Sequence, residues 1–241
     1  MTILLNNEKL IFIKGSKVAG SSFELALSKF SQKNDIVTPL NQNEELIRKE
    51  LNYPSPKNYD YKINEMLLVN RKAFINKILN GKSLVKFETH ETASEIKKKL
   101  PYKIWTSFCK LAIVRNPYTF TVSAFYWANR TNAFDNINDF VNQRPDVLDR
   151  FKNFYFIDNV DVVDKYLKFE NLKNDIIDLE KEYNSLSGLS KAFEKFNLKK
   201  GIKPNNLDEI TVLMKYPSLV DKINNKMKYF FERFNYKMID I

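Results

Sequence analysis

The 241-residue sequence has one cysteine and one histidine, and its apolar runs are all short. A lone thiol, Cys109, excludes an intramolecular disulfide and a cysteine metal cluster, and we expect it to be buried. A transmembrane helix needs about 18 consecutive apolar residues, and the run Leu10–Ile13 is also too short for the core of a signal peptide. These absences predict a soluble, cytoplasmic protein with no stable membrane insertion.

Acidic residues are too few to balance the basic ones: 29 Asp and Glu stand against 39 Lys and Arg, a formal net charge of +10. This excess favours an anionic partner, which by charge alone is a nucleotide, an acidic glycan, nucleic acid or a membrane surface. Most of the charge is lysine scattered along the chain, and the cluster Lys97–Lys99 is typical of a solvated helix end. We therefore expect no nucleic-acid partner.

Strand and helix patterns alternate along the chain, whose length and 44% hydrophobic composition suit one domain. Short apolar runs predict four strands, at Leu10–Lys14, Ser83–Glu88, Leu111–Val114 and Val163–Phe169. Helical patterns follow them, at Ser21–Phe30, Ala93–Leu100, Tyr118–Ala128 and Lys173–Tyr183. The alternation predicts a single α/β domain, in which a parallel sheet of the P-loop NTPase kind is flanked by helices. Such sheets bind ligands at the carboxyl ends of their strands.

A helical insertion at about residues 41–80 separates the first two predicted strands. Its helix Ile63–Asn80 has an apolar stripe, which we expect to belong to the core: Ile63, Met66, Leu67, Phe74, Ile75 and Ile78. The last helix, Ser218–Phe234, also has apolar residues at helical spacing, and we expect it to pack on the sheet.

The segment Leu10–Phe30 predicts a buried strand that enters a helix through a turn of small residues, the architecture of a phosphate-binding loop. Gly15 and Gly20 have the spacing of a nucleoside-triphosphate P-loop, but serines stand where that motif needs Lys followed by Ser or Thr. The lysine lies inside the loop, as Lys17. Backbone N–H groups at the helix start would still face an anion, and this role is assigned to Ala19, Gly20, Ser21 and Ser22. An ordinary strand–turn–helix explains the segment equally well.

A second anion site is predicted where the third strand ends. Arg115 leaves that strand at its carboxyl edge, Pro117 suits the first turn of the next helix, and Ser123 follows two turns later. A guanidinium fork and a hydroxyl that converge in this way can hold a second phosphate. Taken alone, the segment favours a simpler interpretation, in which Arg115 pairs with a carboxylate at a helix start.

Together the two segments resemble the sulfotransferases that use 3′-phosphoadenylyl sulfate (PAPS), most closely the carbohydrate-type group of glycan O-sulfotransferases. The loop Lys17–Ser22, which reads Lys-Val-Ala-Gly-Ser-Ser, looks like the family's loop for the 5′-phosphosulfate. Arg115-Asn-Pro-Tyr and Ser123-Ala-Phe-Tyr look like its element for the 3′-phosphate, with the same eight-residue step from Arg to Ser. Softer similarities follow at Phe169–Leu172 and Tyr229–Tyr236.

The resemblance implies transfer of a sulfuryl group from PAPS to a hydroxyl acceptor, with a carbohydrate as the expected class. It implies that the loop amides bind the 5′-phosphosulfate and that Lys17 neutralises charge on the leaving phosphate. It also implies that Arg115 and Ser123 bind the 3′-phosphate. The basic turn Lys199–Lys203 is similar to family loops that close over the nucleotide. Lys200 could meet the 3′-phosphate there, although a solvated turn is the simpler interpretation.

No metal is expected at this site. A sulfuryl group carries less negative charge than a phosphoryl group, so lysine and backbone amides can suffice where phosphoryl transfer recruits Mg²⁺. The predicted strands end in Lys14, Glu88, Arg115 and Glu170, and none is followed by an Asp of the Walker-B kind.

The acceptor hydroxyl needs a general base, and His90 is our first candidate. It follows the second predicted strand, and the glycan 2-O-sulfotransferase branch resembles this arrangement in placing a base histidine after the corresponding strand. An imidazole has a suitable unperturbed pKa, although a lone histidine near a helix start is otherwise usually structural. Glu88 and Glu91 are the alternative bases.

Two other classes of function stay open. A P-loop kinase with an aberrant loop would be revealed by Mg²⁺-dependent turnover of ATP. A basic module that binds nucleotides or polyanions without catalysis would show salt-sensitive binding to heparin or DNA and no affinity for PAPS.

Overall fold

The computed structural model describes residues 3–196 and 208–240, and within them the chain forms seven strands and fourteen α-helices. The strands are β1 (Ile3–Leu5), β2 (Leu10–Ile13), β3 (Ile36–Val37), β4 (Cys109–Val114), β5 (Phe156–Ile157), β6 (Val160–Asp161) and β7 (Lys165–Lys168). The first seven helices are α1 (Gly20–Ser28), α2 (Gln42–Glu50), α3 (Ile63–Val69), α4 (Arg71–Asn80), α5 (Ala93–Lys99), α6 (Tyr102–Ser107) and α7 (Pro117–Ala128). The others are α8 (Ile137–Gln143), α9 (Arg150–Tyr155), α10 (Leu172–Glu182), α11 (Leu189–Glu194), α12 (Glu209–Met214), α13 (Pro217–Lys226) and α14 (Lys228–Phe234).

The main sheet has five strands in the order β3-β1-β2-β4-β7, and it is mixed. The strands β2, β4 and β7 are parallel, as predicted, but β1 is antiparallel to both of its neighbours. The prediction of a wholly parallel sheet is therefore wrong. Four residues separate β1 from β2, whereas a parallel crossover needs a dozen or more, so these strands can pair only as a hairpin.

The predicted strand Ser83–Glu88 is also wrong. The segment forms one isolated bridge, between Val85 and Asp60, and its backbone otherwise pairs with Tyr59 and Tyr61 of a loop. Phe87 is the buried residue of this segment, and the charged residues on either side of it are half-buried or exposed. A run with one buried side chain does not match the continuously apolar pattern of a central parallel strand. His90 therefore follows a loop rather than a strand of the sheet.

The predicted helices are present, but two of them are divided. Helices α3 and α4 meet at Asn70, whose backbone is extended and whose side chain caps α4 through the Ala73 N–H at 3.1 Å. The predicted core stripe on these helices is wrong, because Met66 is buried whereas Ile63, Leu67, Ile75 and Ile78 are 47–63% exposed. The last helix divides at Met227, and its predicted apolar positions are all buried, as expected: Leu219, Ile223, Met227, Phe230 and Phe234.

The architecture brings three loops to one edge of the sheet. Strand β2 ends at Ile13, which pairs with Ala112, and β4 ends at Val114, which pairs with Lys168 at the end of β7. The carboxyl ends of these parallel strands thus lie side by side, beneath the N-termini of the helices that follow. Cys109, at the opposite end of β4, is half-buried rather than fully buried. The described helices are too short or too polar for a bilayer span.

Candidate functional site

The loop between β2 and α1 has an uncommon backbone. Lys17 and Ala19 both adopt left-handed conformations, with φ of 59° and 60°, on either side of the buried Val18. Residues that have a Cβ rarely adopt this conformation, because it is sterically strained. Such strained residues are often found at functional sites. Helix α1 then starts at Gly20 without a side-chain cap from any described residue and without an acid in its first turn. Its first backbone N–H groups are thus suited to an anion.

A buried ion pair supports this loop from below. The Lys14 ammonium lies 2.8 Å from the Glu24 carboxylate, and Thr38 donates to the same carboxylate at 3.2 Å. Burial raises the pKa of Glu24, and the charge of Lys14 opposes that shift. The stem of Lys14 packs so closely under Gly20 that a Cβ there would be 2.8 Å from Lys14 Cγ. Sequence reasoning gave Lys14 no role, although a lysine that ends a buried strand signals a buried partner.

Tyr155 holds the other side of the loop. Its hydroxyl donates to the Ile113 carbonyl at 2.8 Å and lies against Gly15, at which a Cβ would be 2.1 Å from the Tyr155 oxygen. Burial raises the pKa of Tyr155, so the phenol is neutral and stays a donor. Sequence reasoning missed Tyr155 because it comes from α9, far along the chain.

Gly15→Ala is expected to lower the free energy of unfolding by about 1–3 kcal/mol, because the new methyl group overlaps the Tyr155 hydroxyl. Tyr155→Phe alone removes one buried hydrogen bond, at a cost of about 1 kcal/mol. The double variant should be less destabilised than the two costs together, because deleting the oxygen relieves the overlap. Urea unfolding measures all three, and strictly additive costs would contradict the proposed contact.

Arg115 joins the two segments that the sequence singled out. Its Nη1 donates to the Lys17 carbonyl at 3.2 Å, across 98 residues of sequence. Its Nε donates to Thr119 at 2.9 Å, and its guanidinium lies 4.2 Å from the centre of the Phe169 ring. Its Nη2 pairs with Glu209, the first residue of α12, at 3.2 Å. The simpler interpretation of this segment, an arginine paired with a carboxylate at a helix start, is therefore present in the structure.

One face of α7 runs along the loop. Thr119, Ser123 and Trp127 are four residues apart and share this face, over a length of about 12 Å. Lys17 contacts both ends of the row, because its carbonyl accepts from Arg115 near Thr119 and its ammonium lies 4.1 Å from the centre of a Trp127 ring. Ser123 lies between Thr119 and Trp127 on this face. The helical period of α7 could have identified Trp127 from the sequence.

The third strand end completes this edge of the sheet. Glu170, just after β7, accepts from the Asn116 backbone N–H at 2.8 Å and from the Tyr236 hydroxyl at 2.8 Å. Burial raises the pKa of Tyr236, and the adjacent Glu170 charge raises it further. The turn after Arg115 is thus fixed to both the β7 end and the C-terminal tail.

His90 is exposed, and two sets of contacts place it on the loop's side of the molecule. Its ring lies edge-to-face on Phe154, 6.3 Å between centres, and Phe154 precedes the tyrosine that contacts Gly15. The neighbouring Thr89 donates to the Pro39 carbonyl at 2.8 Å, next to the threonine that binds Glu24.

The two alternative bases differ in their surroundings. Glu91 is buried and forms an ion pair with Lys99, which gives it a structural role, whereas Glu88 is exposed. The turn Lys199–Lys203, with the predicted nucleotide contact Lys200, lies outside the described residues.

Comparisons with known proteins found no match: no family model, no curated protein and no solved structure matches the chain.

Proposed function

We propose that this protein is a sulfotransferase of P-loop-like fold that moves a sulfuryl group from PAPS to a hydroxyl acceptor, with a carbohydrate as the expected class. The observation that carries the proposal is the contact between Arg115 and the Lys17 carbonyl. Two segments that separately resemble a 5′-phosphosulfate loop and a 3′-phosphate element meet at one sheet edge. PAPS carries phosphate groups on both the 5′ and the 3′ oxygens of its ribose, so in this proposal one nucleotide contacts both segments.

The nucleotide is held by backbone and side chains in different ways. The N–H groups from Ala19 to Ser22 bind the 5′-phosphosulfate at the N-terminus of α1, where the helix dipole favours negative charge. Arg115 and Ser123 bind the 3′-phosphate, the first through a charge-assisted fork. Lys17 moves its ammonium from the Trp127 ring to the leaving phosphate, where negative charge grows during transfer.

The reaction needs one proton acceptor. The acceptor oxygen attacks sulfur, the bond between sulfur and the 5′-phosphate oxygen breaks, and adenosine 3′,5′-bisphosphate (PAP) leaves with that electron pair. His90 takes the proton of the attacking hydroxyl. Its exposure suits this role, because a base that serves the acceptor must be reached from solvent. No metal takes part in the proposed step.

Glu209→Gln is expected to raise the affinity for PAP by about tenfold, the equivalent of roughly 1.4 kcal/mol. The Glu209 carboxylate now neutralises the guanidinium that the 3′-phosphate would bind, so the two anions compete for Arg115. Binding of AMP, which lacks the 3′-phosphate, should not change. Calorimetry with both nucleotides measures the effect, and Glu194→Gln, at a half-exposed ion pair on α11, is the matched control. An unchanged affinity for PAP would remove Glu209 from the site.

One thermal-shift experiment separates the candidate functions, because a ligand that binds the native state alone raises the melting temperature. PAPS and PAP should stabilise the protein without Mg²⁺, and ATP should do so weakly with or without it. Stabilisation by Mg²⁺-ATP above PAP would favour a kinase. Stabilisation by heparin alone, lost in high salt, would favour the polyanion-binding module.

A further inference from the structure

Exposed aliphatic side chains are concentrated on two consecutive helices. Seven of the thirteen large hydrophobic residues that are exposed in the described chain lie between residues 63 and 79. We name them the α3–α4 surface: Ile63, Leu67, Leu68, Val69, Ile75, Ile78 and Leu79. Leu68 and Leu79 are the most exposed, at 88% and 73%. Monomeric proteins rarely leave such a concentration of apolar side chains in water unless it binds something.

Helical period places three residues of this surface on one face of α4. On α4, Ile75, Ile78 and Leu79 are three and four residues apart and so lie on one side of the helix. Every residue of α4 is exposed or half-buried, so this helix adds little to the described core. The pairing of α4 with α3, which is anchored through Met66, holds it on the domain.

The same segment is strongly basic. Residues 62–82 contain five Lys or Arg and one acid, Glu65, a net charge of +4. The acid is already paired with Lys86, at 2.9 Å. The basic residues bracket and interrupt the apolar positions: Lys62, Arg71, Lys72, Lys77 and Lys82. This combination calls for a partner that is apolar and anionic at once.

Charge and chemistry select among the possible occupants. A second copy of the chain would bring the same +4 segment against its equivalent, so repulsion opposes a dimer through this face. Nucleic acid matches the charge, but single strands bind through stacked aromatic rings, whereas the surface is aliphatic. An anionic bilayer supplies both headgroup phosphates for the cations and an acyl boundary for Leu and Ile.

We infer that the α3–α4 surface docks the protein on anionic lipid bilayers, with α3 and α4 in the interfacial plane. The side chains of Leu68 and Leu79 enter the acyl boundary, and the lysines and Arg71 contact lipid phosphates. This inference does not depend on the nucleotide site, because none of its residues has a role in the proposed reaction.

Vesicle sedimentation of the full chain tests the inference. The protein should bind phosphatidylcholine vesicles that contain phosphatidylserine, bind pure phosphatidylcholine far more weakly, and be released by salt. Leu68→Asp and Leu79→Asp should each weaken binding on the order of tenfold, because burial of a leucine is lost. Val160→Asp, at a 62% exposed position on β6, is the matched control and should bind as the parent does.

Charge is tested in the same way. Lys72→Glu should weaken binding to the anionic vesicles, whereas Lys181→Glu, at an exposed position on α10, should have a much smaller effect. Circular dichroism of each variant checks that the fold is kept. Absence of vesicle binding, equal losses in the control variants, or a dimer that Leu68→Asp dissociates would each overturn the inference.

Discussion

Replacing His90 with alanine is expected to reduce turnover by about 10²- to 10⁴-fold, the usual contribution of a positioned general base. The affinity for PAP should stay close to that of the parent, because the ring serves the acceptor and not the nucleotide. The measurement is the rate at saturating PAPS, with a saccharide that the protein sulfates, beside a calorimetric titration with PAP. Glu88→Gln tests the exposed alternative base of the same loop, and it should keep its activity if His90 is the base.

The pH dependence gives this prediction a second readout. Only the neutral form of an imidazole can accept a proton. The rate of the parent should therefore fall as the pH is lowered and the ring becomes protonated, and this acidic limb should be absent from His90→Ala. A variant that keeps its rate within a few-fold of the parent, or that loses activity only through unfolding, would make His90 structural.

Replacing Arg115 with alanine is expected to weaken PAP binding by about a hundredfold or more while leaving AMP binding nearly unchanged. Hydrogen bonds to a charged group contribute about 1.5–3 kcal/mol each, and the fork contributes them only when a 3′-phosphate is present. Calorimetry with the two nucleotides separates this effect from general damage to the site. Equal losses for PAP and AMP would show that Arg115 does not recognise the 3′-phosphate.

The structural role of Arg115 requires its own control. The guanidinium is buried and pairs with Glu209, so Arg115→Ala leaves a mostly buried carboxylate without this ion pair. Burial lowers the pKa of Arg115, and the negative charge of Glu209 opposes that shift because it stabilises the charged guanidinium. The double variant Arg115→Ala with Glu209→Gln also removes the carboxylate charge. It should recover stability but not the affinity for PAP.

The sequence predicted those parts of the fold that local patterns encode. The run at β2 is wholly apolar, the run at β4 contains a single lysine, and β7 has two apolar residues between lysines. The helices that follow have apolar residues at helical spacing, so strands and helices were both found. Pairing partners are not a local property. The three residues of β1 became a strand through the short hairpin to β2, and the run at residues 83–88 failed as a strand because its neighbour is a loop. The stripe on α3 and α4 has a core-like period but nothing among the described residues covers most of it.

The candidate site was predictable to the same degree. Both motifs were expected at carboxyl ends of strands, where sheets of this kind bind ligands, and the structure brings Lys17 and Arg115 into contact there. Glu209 and Tyr155 could not be foreseen, since their approach depends on how α12 and α9 pack. The strand-end argument for His90 was wrong, and its place beside Phe154 comes from tertiary packing instead.

The central claim is that this chain binds a nucleotide that carries phosphates on both the 5′ and the 3′ oxygens of its ribose. Calorimetric titration of the parent protein with PAP and with AMP, both without Mg²⁺, tests it most directly. We predict that PAP binds about a hundredfold more tightly than AMP, because Arg115 and Ser123 add a second phosphate site to the loop. Equal affinities for the two nucleotides, or binding of neither, would contradict the account.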